Sequence, residues 1–292
     1  MASLVRDLIE ARIHFGHRSN NWNPKMAPFI FGKRNRIHII DIRQTVKGLL
    51  LARKYIAKVV ASGKDVLFVG TKRQARTCIA QRVRETGMHC VSERWLGGTL
   101  TNFRTIRERL KRLIELEQLE ESGAINSYSK KMESQLNREK SKMRRNLDGI
   151  RNMNKLPGAM VIIDVSREIN AVKEARKLGI PTICLIDTDS NPDFADIPIP
   201  GNDDSMKAIE LVVSSLCAAV QEGKTSRIAA AEGQDEESNR RRSSRAQFRA
   251  DDTTTTEDPD DASPDSTRTD NDQVSTPDLI ATAPPRPTSQ QA

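Results

Sequence analysis

The sequence predicts a doubly wound α/β domain, a parallel sheet with helices on both faces. Three observations carry this. Val66-Leu67-Phe68-Val69, Ala159-Met160-Val161-Ile162-Ile163 and Thr182–Ile186 are short runs apolar on both faces, as strands of a covered parallel sheet must be. Helical spacing follows the first two: Ala75, Ile79 and Val83 before Gly87, then Ile169, Val172 and Leu178 before Gly179. Strand and helix therefore alternate, which is the pattern of βαβ units.

The elements follow in chain order. In segment 13–43, Phe29-Ile30-Phe31-Gly32 and Ile37-His38-Ile39-Ile40 flank Lys33-Arg34-Asn35-Arg36 and read as a hairpin with a basic turn. Asp41 and Gln44 resemble a capping box. The helix behind them presents Val46, Leu49, Leu50, Ile56, Val59 and Val60. Met88–Val91 is a second short strand after Val66–Val69. Phe103, Ile106, Leu110 and Leu113 step by three and four, as do Met132, Leu136, Met143, Leu147 and Ile150 beyond a break at Ser122-Gly123. This predicts an inserted antiparallel coiled-coil helical hairpin over 102–151, projecting from the α/β body. A last helix, capped by Asp203 or Asp204, aligns Ile209, Val212, Val213, Leu216 and Val220. The α/β domain is thus expected over 1–101 and 152–227, and a disordered acidic tail over 228–292.

Composition separates the tail from the body. The chain has 292 residues and a net charge of +8, but residues 1–227 carry +15 and residues 228–292 carry −7. The tail has few large apolar side chains and cannot offset its ordering entropy by burial. Its Arg240-Arg241-Arg242-Ser243-Ser244-Arg245 cluster reads as a solvated charge run or a nucleic-acid contact. A basic body points to a polyanion partner. No apolar run approaches the ~18–20 residues of a membrane helix. Met1–Glu10 has no secretory pattern, and Asp7 and Glu10 argue against a transit peptide. Cys78, Cys90, Cys184 and Cys217 lack C-x-x-C spacing, so reduced thiols of a cytoplasmic protein are expected.

Enzymatic motifs are weak. The turn Gly70-Thr71-Lys72-Arg73-Gln74-Ala75 follows the first strand, where a nucleotide enzyme would carry G-x-G-x-x-G or G-x-x-x-x-G-K-[ST]; neither is there. A helix N-terminus bearing Lys72, Arg73 and Arg76 still suits a phosphate. Gly97-Gly98-Thr99, beside Arg94, Thr101, Asn102 and Arg104, is either a tight turn or a backbone-contact loop. Asp187, Asp189, Asp193, Asp196, Asp203 and Asp204 gather after the Thr182–Ile186 strand, where doubly wound folds place ligands. Asp187 and Asp203 with His17 could hold a divalent metal ion; turn and capping roles account for the same residues without one. Aromatic residues are only 4%, which favours phosphate and shape recognition of folded RNA over base stacking.

Several long motifs together resemble a known family. They are His14-Phe15-Gly16-His17-Arg18, the run Trp22–Asp41, Phe68–Ala75, Arg94–Phe103, Asp187-Thr188-Asp189 and Ile199–Asp204. In this order they resemble the bacterial small-subunit ribosomal protein S-two family over about residues 3–225. The resemblance implies a flavodoxin-like domain with a protruding coiled-coil hairpin and no enzymatic activity. It implies a ribosome-bound position near the junction of head and body, on the solvent side. The implied partners are small-subunit rRNA and neighbouring small-subunit proteins, including the large mRNA-binding protein S-one, with no required cofactor, no membrane and no homo-oligomer. On chemistry, the expected RNA-facing residues are Arg18, Asn20, Trp22, Asn23, Lys25, Lys33, Arg34, Asn35, Arg36, Lys72, Arg73, Arg76, Arg94, Thr99, Asn102 and Arg104.

Overall fold

The computed structural model describes residues 2–251. Its centre is a five-stranded parallel sheet of β4 (Val66–Val69), β5 (His89–Val91), β6 (Ala159–Ile163), β7 (Thr182–Ile186) and β8 (Ile197–Pro200). The spatial order is β5-β4-β6-β7-β8, so the chain reverses direction of growth between β4 and β6. Strand side chains alternate between faces. Val66, Phe68, Val161, Ile163, Ile183 and Leu185 enter one core with α2 (Ile42–Ala61), α3 (Arg73–Thr86) and α7 (Met206–Asp251). Leu67, Val69, Met160, Ile162, Cys184 and Ile186 enter the other with α6 (Ile169–Lys177). The expected doubly wound α/β architecture is present.

β8 is a strand that sequence patterning overlooked. Its Pro198 and Pro200 lack N–H groups, and proline argues against a central strand. The strand lies at the sheet edge, paired on one side with β7. There Ile197 and Ile199 keep the N–H groups the ladder uses.

Before the sheet come α1 (Ala2–Glu10), which patterning also overlooked, and a three-stranded antiparallel sheet. That sheet holds β1 (Phe15–Arg18), β2 (Ile30–Arg34) and β3 (Ile37–Ile40), in the order β1-β3-β2. Asp41 caps α2, its Oδ1 accepting from Arg43 N–H at 2.9 Å, but the expected box with Gln44 is not made: Asp41 N–H donates to Phe29 O at 2.9 Å. α7 begins differently from expectation. Ser205 caps it, with its Oγ accepting from Ala208 N–H at 3.4 Å, because Asp203 and Asp204 are engaged elsewhere.

Between β5 and β6 lie α4 (Phe103–Glu121) and α5 (Lys130–Leu147), packed on each other and running back along one another. Ile106, Leu110, Leu147 and Ile150 join the sheet's second core, so the base of this pair is part of the domain. Farther out, Leu116, Ile125 and Leu136 form a separate small cluster. The two segments compact on their own scales, as satellite clusters do.

The tail departs from expectation at its start. α7 continues to Asp251, so residues 228–251 are helical where disorder was expected. This stretch is rich in Ala, Glu, Gln and Arg, which favour helix, and the first Thr run begins only at Thr253. Residues 252–292, with the rest of that expectation, lie outside the described residues. One compact unit is Met1–Asn239; a second begins at Arg240.

Candidate functional site

The reversal between β4 and β6 is where open α/β sheets leave a ligand crevice. Here the chain fills that place itself. Lys72, following β4, is only 9% exposed. Its Nζ lies 2.6 Å from Asp203 Oδ1, 2.6 Å from Asp204 Oδ1 and 3.5 Å from Asp164 Oδ2. Burial alone would pull this ammonium down, but its bonds to Asp203 and Asp204 outweigh that and hold it above its ordinary value. Asp203 is itself pushed up to about 7 by burial and then by the Asp164 charge, even with Lys72 beside it. Asp164 sits at the end of β6 with φ +67°, a left-handed conformation that aspartate tolerates better than most residues. Behind it, Glu168 accepts from Thr71 N–H at 3.1 Å and from the Thr71 hydroxyl.

The N-terminal segment closes the same edge. Gly16 packs so tightly that a Cβ there would lie 2.6 Å from Thr188 Cγ2. His17 N–H donates to Thr188 Oγ1 at 2.9 Å, and Asn23 N–H donates to Thr188 O at 2.8 Å. The His17 ring lies between Asp187 Oδ2, 3.1 Å from Nδ1, and Asp204 Oδ2, 3.5 Å from Nε2. Its bond to Asp187 and the surrounding carboxylates outweigh burial and raise the imidazole to about 9. The candidate metal ligands His17, Asp187 and Asp203 therefore fall in one cluster, but as partners of one another's cations. Asp187 faces His17 and Asp203 faces Lys72. Among the described residues no group of three His, Cys, Asp or Glu side chains is arranged to hold a metal ion.

The small sheet carries the exposed cations. Arg18 pairs with Ile37 across β1 and β3, and Ile37 pairs with Arg34 across β3 and β2. One row thus brings Arg18 and Arg34 to the same end of the sheet, next to the turn. Asn35 and Arg36 turn it with φ +49° and +61°, the two left-handed residues of a type I′ hairpin. Arg36 in this conformation costs about 1 kcal/mol. Arg18, Lys33, Arg34 and Arg36 are exposed, and none makes an ion pair among the described residues. Trp22 is partly exposed and lies 5.0 Å from the His38 ring, centroid to centroid. His38 is buried, and burial and then the Lys33 charge lower its pKa; neither ring nitrogen has a partner.

A third assembly was not foreseen. The loop Trp95–Thr101 wraps the carboxylate of Glu174 on α6. Glu174 Oε1 accepts from Trp95 Nε1 at 3.0 Å and Gly98 N at 2.8 Å. Its Oε2 accepts from Leu100 N at 3.0 Å and Thr101 N at 3.2 Å. Burial raises this carboxyl, but the four N–H donors outweigh it and bring it below its ordinary value. Gly98, at φ +88°, makes the bend. The signal lay in three backbone donors among the four residues after Gly97, those of Gly98, Leu100 and Thr101, but nothing local to residues 95–101 names an acid on a helix more than seventy positions later.

The expected RNA-facing residues therefore sort by environment. Lys72 is a correction: its ammonium is spent on Asp203, Asp204 and Asp164, because it turns inward at the sheet edge. Thr99 is a second: it is buried and donates to Leu96 O at 2.6 Å. Asn23 caps a short 3-10 turn through Lys25 N, and Lys25 pairs with Asp193. Arg76 pairs with Glu93 at 3.1 Å. Arg104 is exposed and 3.5 Å from Glu108. Asn20, Arg73, Arg94 and Asn102 are exposed. The structure thus gathers Arg18 with Lys33–Arg36, and separately places Arg94 and Asn102 at the two ends of the Glu174 loop.

Fold and site together define a class: an α/β scaffold whose usual ligand crevice is closed by its own side chains, with basic segments appended to it. Comparison with known proteins agrees. Residues 8–223 match the family Ribosomal protein S2. The small ribosomal subunit protein uS2 of Rhodopirellula baltica is 59% identical over 221 residues, spanning 76% of this chain and 85% of that protein. Its counterpart in Endomicrobium trichonymphae is 47% identical over 221 residues, covering 76% and 91% respectively. That of Salinispora tropica is 48% identical over 233 residues, covering 80% and 79%. The chain belongs to the ribosomal protein S2 family, and so is a structural, ribosome-bound protein of the small subunit rather than an enzyme. No helix among the described residues is long and apolar enough to cross a membrane.

Proposed function

We propose that this chain binds small-subunit rRNA chiefly through the end of its small sheet, with the Glu174 loop as a second contact. The observation that carries the reading is the row Arg18–Ile37–Arg34 beside the Lys33–Arg36 turn. It places four exposed cations, none in an ion pair among the described residues, at one end of the small sheet, which is held to the α/β body through Thr188. Rigid cations suit phosphates of folded RNA. The resemblance adds a place near the junction of head and body and a role in docking the large mRNA-binding protein S-one. It also supports a chain that forms no homo-oligomer, a coiled-coil character for the α4–α5 arm, and no need of a cofactor. Reversing the charge of Lys33, Arg34 and Arg36 together tests the reading by sucrose-gradient sedimentation of subunits. Occupancy of the small subunit should fall, and fall further as salt rises. Wild-type occupancy of the triple variant at every salt would refute it.

A further inference from the structure

The helix α2 carries Arg43, Lys47, Arg53, Lys54 and Lys58 and no Asp or Glu. Its buried side, with Leu49, Ala52, Ile56 and Val60, enters the first core of the large sheet. Thr45 Oγ1 donates to Pro200 O at 2.6 Å, and Gly48 lets the helix backbone close on Pro198 of β8. The helix is thus fixed against the sheet edge. Its outer side holds Arg43, Lys47, Leu50, Leu51, Lys54 and Lys58, all exposed. At 3.6 residues per turn these six positions share an arc of about 100°. The stripe runs about 22 Å along the helix, with the leucines near its middle and two cations beyond them on either side. Leu50 is 37% exposed and Leu51 54%. Arg53, on the flank, pairs with Glu222, but none of the four cations on the stripe makes an ion pair among the described residues. A single exposed leucine is ordinary. Two leucines framed by four cations have the layout of a contact patch, an apolar centre within a charged rim.

We propose that this outer stripe of α2 docks an acidic amphipathic helix of a partner protein. The charge sign and the apolar centre together select that chemistry. A second helix lying along α2 sets aliphatic side chains against Leu50 and Leu51. Its carboxylates, one and two turns away on either side, then meet Lys47 and Lys54, and Arg43 and Lys58. The absence of acids on α2 keeps its own side chains from competing for those cations. A nucleic-acid backbone also supplies anions, but it offers the two leucines no apolar counterpart. The stripe lies on a different element from the small sheet, so the proposal does not depend on the RNA-binding reading.

The test uses the full chain and a fluorescein-labelled peptide of about 18 residues, enough to cover the stripe as a helix. The peptide carries a central Leu pair, Glu one and two turns away on either side, and Ala and Gln elsewhere. Fluorescence anisotropy follows its binding. Lys47→Glu with Lys54→Glu should weaken binding about tenfold or more. A peptide with Lys in place of Glu should bind that variant and not the wild-type chain. Leu50→Asp with Leu51→Asp should abolish binding of the acidic peptide. Melting curves confirm that each variant is folded, the substituted positions all being exposed. Lys33→Glu with Arg34→Glu and Arg36→Glu should bind the peptide as wild type; loss of binding there would put the contact on the small sheet and overturn the proposal. Failure of the wild-type chain to bind the acidic peptide overturns it too, as does wild-type affinity in the Leu50→Asp, Leu51→Asp chain. Displacement of the peptide by an RNA hairpin that itself loses affinity in the Lys47→Glu, Lys54→Glu chain would assign the stripe to RNA and also overturn it. Subunit occupancy of the small-sheet variant is read separately, so the two readings fail separately.

Discussion

Replacing Lys72 by methionine isolates the closed crevice. Methionine keeps the length and apolar stem of the side chain but removes the ammonium. Asp203 and Asp164 are then left buried without their cation, while Asp204, half exposed, keeps its solvation. Removing one partner of a buried ion pair costs about 3–5 kcal/mol. An exposed carboxylate adds little. At neutral pH the variant should therefore lose about 3–5 kcal/mol in urea unfolding, or on the order of 6–20 °C in melting temperature for a domain of this size. The loss should shrink in acid. Asp203 is raised by burial to about 7 even beside Lys72. Without the ammonium it binds its proton still more readily, and a neutral carboxyl does not need a cation. Two results would refute the reasoning: an unchanged midpoint at neutral pH, or a deficit that grows as pH falls. A second readout separates burial from RNA contact. Per folded molecule, rRNA affinity and its salt slope should match wild type, whereas a phosphate-contacting lysine would take nearly one unit off the slope.

Other expectations follow from neighbouring geometry. His17 is raised to about 9 from 6.5, so its stabilisation is fully present below pH 6.5 and fades as pH rises through about 9. His17→Gln should flatten the stability profile across that window in urea titrations; a profile parallel to wild type would contradict the pairing with Asp187. Glu174→Ala strands the N–H groups of Trp95, Gly98, Leu100 and Thr101. It should cost about 2–4 kcal/mol and change the near-ultraviolet dichroism of Trp95. Gly16→Val drives a side chain into Thr188, 2.6 Å from where a Cβ would lie. Its overpacking cost is about 1–3 kcal/mol, measured by thermal melting.

The legible parts of the fold were those with a local cause. β4, β6 and β7 are apolar on both faces and were visible as runs, and the helices between them showed their stripes and terminal glycines. β8 was hidden by two prolines that only an edge position tolerates. β1 was hidden because Phe15-Gly16-His17-Arg18 has no strand-like alternation; pairing with β3 makes it a strand. The basic turn was visible because its chemistry is contiguous. The fate of Lys72 was not, since its deciding partner Asp203 is 131 positions away. A lysine at a helix N-terminus looks the same in sequence whether it turns toward solvent phosphate or inward to an acid. Glu174 illustrates the same limit from the opposite side: its burial and four donors come from a loop that precedes it by more than seventy positions.

The bond from His17 N–H to Thr188 Oγ1 joins positions 171 apart, so the first strand to be synthesised waits for one of the last. On a nascent chain the basic hairpin emerges early, yet its seat, the Asp187–Ser190 loop with Asp203 and Asp204, arrives only when the domain is nearly complete. Such distant closures are made late, because loop entropy must be overcome before the contact gives anything back. The orientation of Arg18, Lys33, Arg34 and Arg36 relative to the domain is thereby withheld from truncated chains. A fragment ending before Thr188 carries the cations but not their alignment.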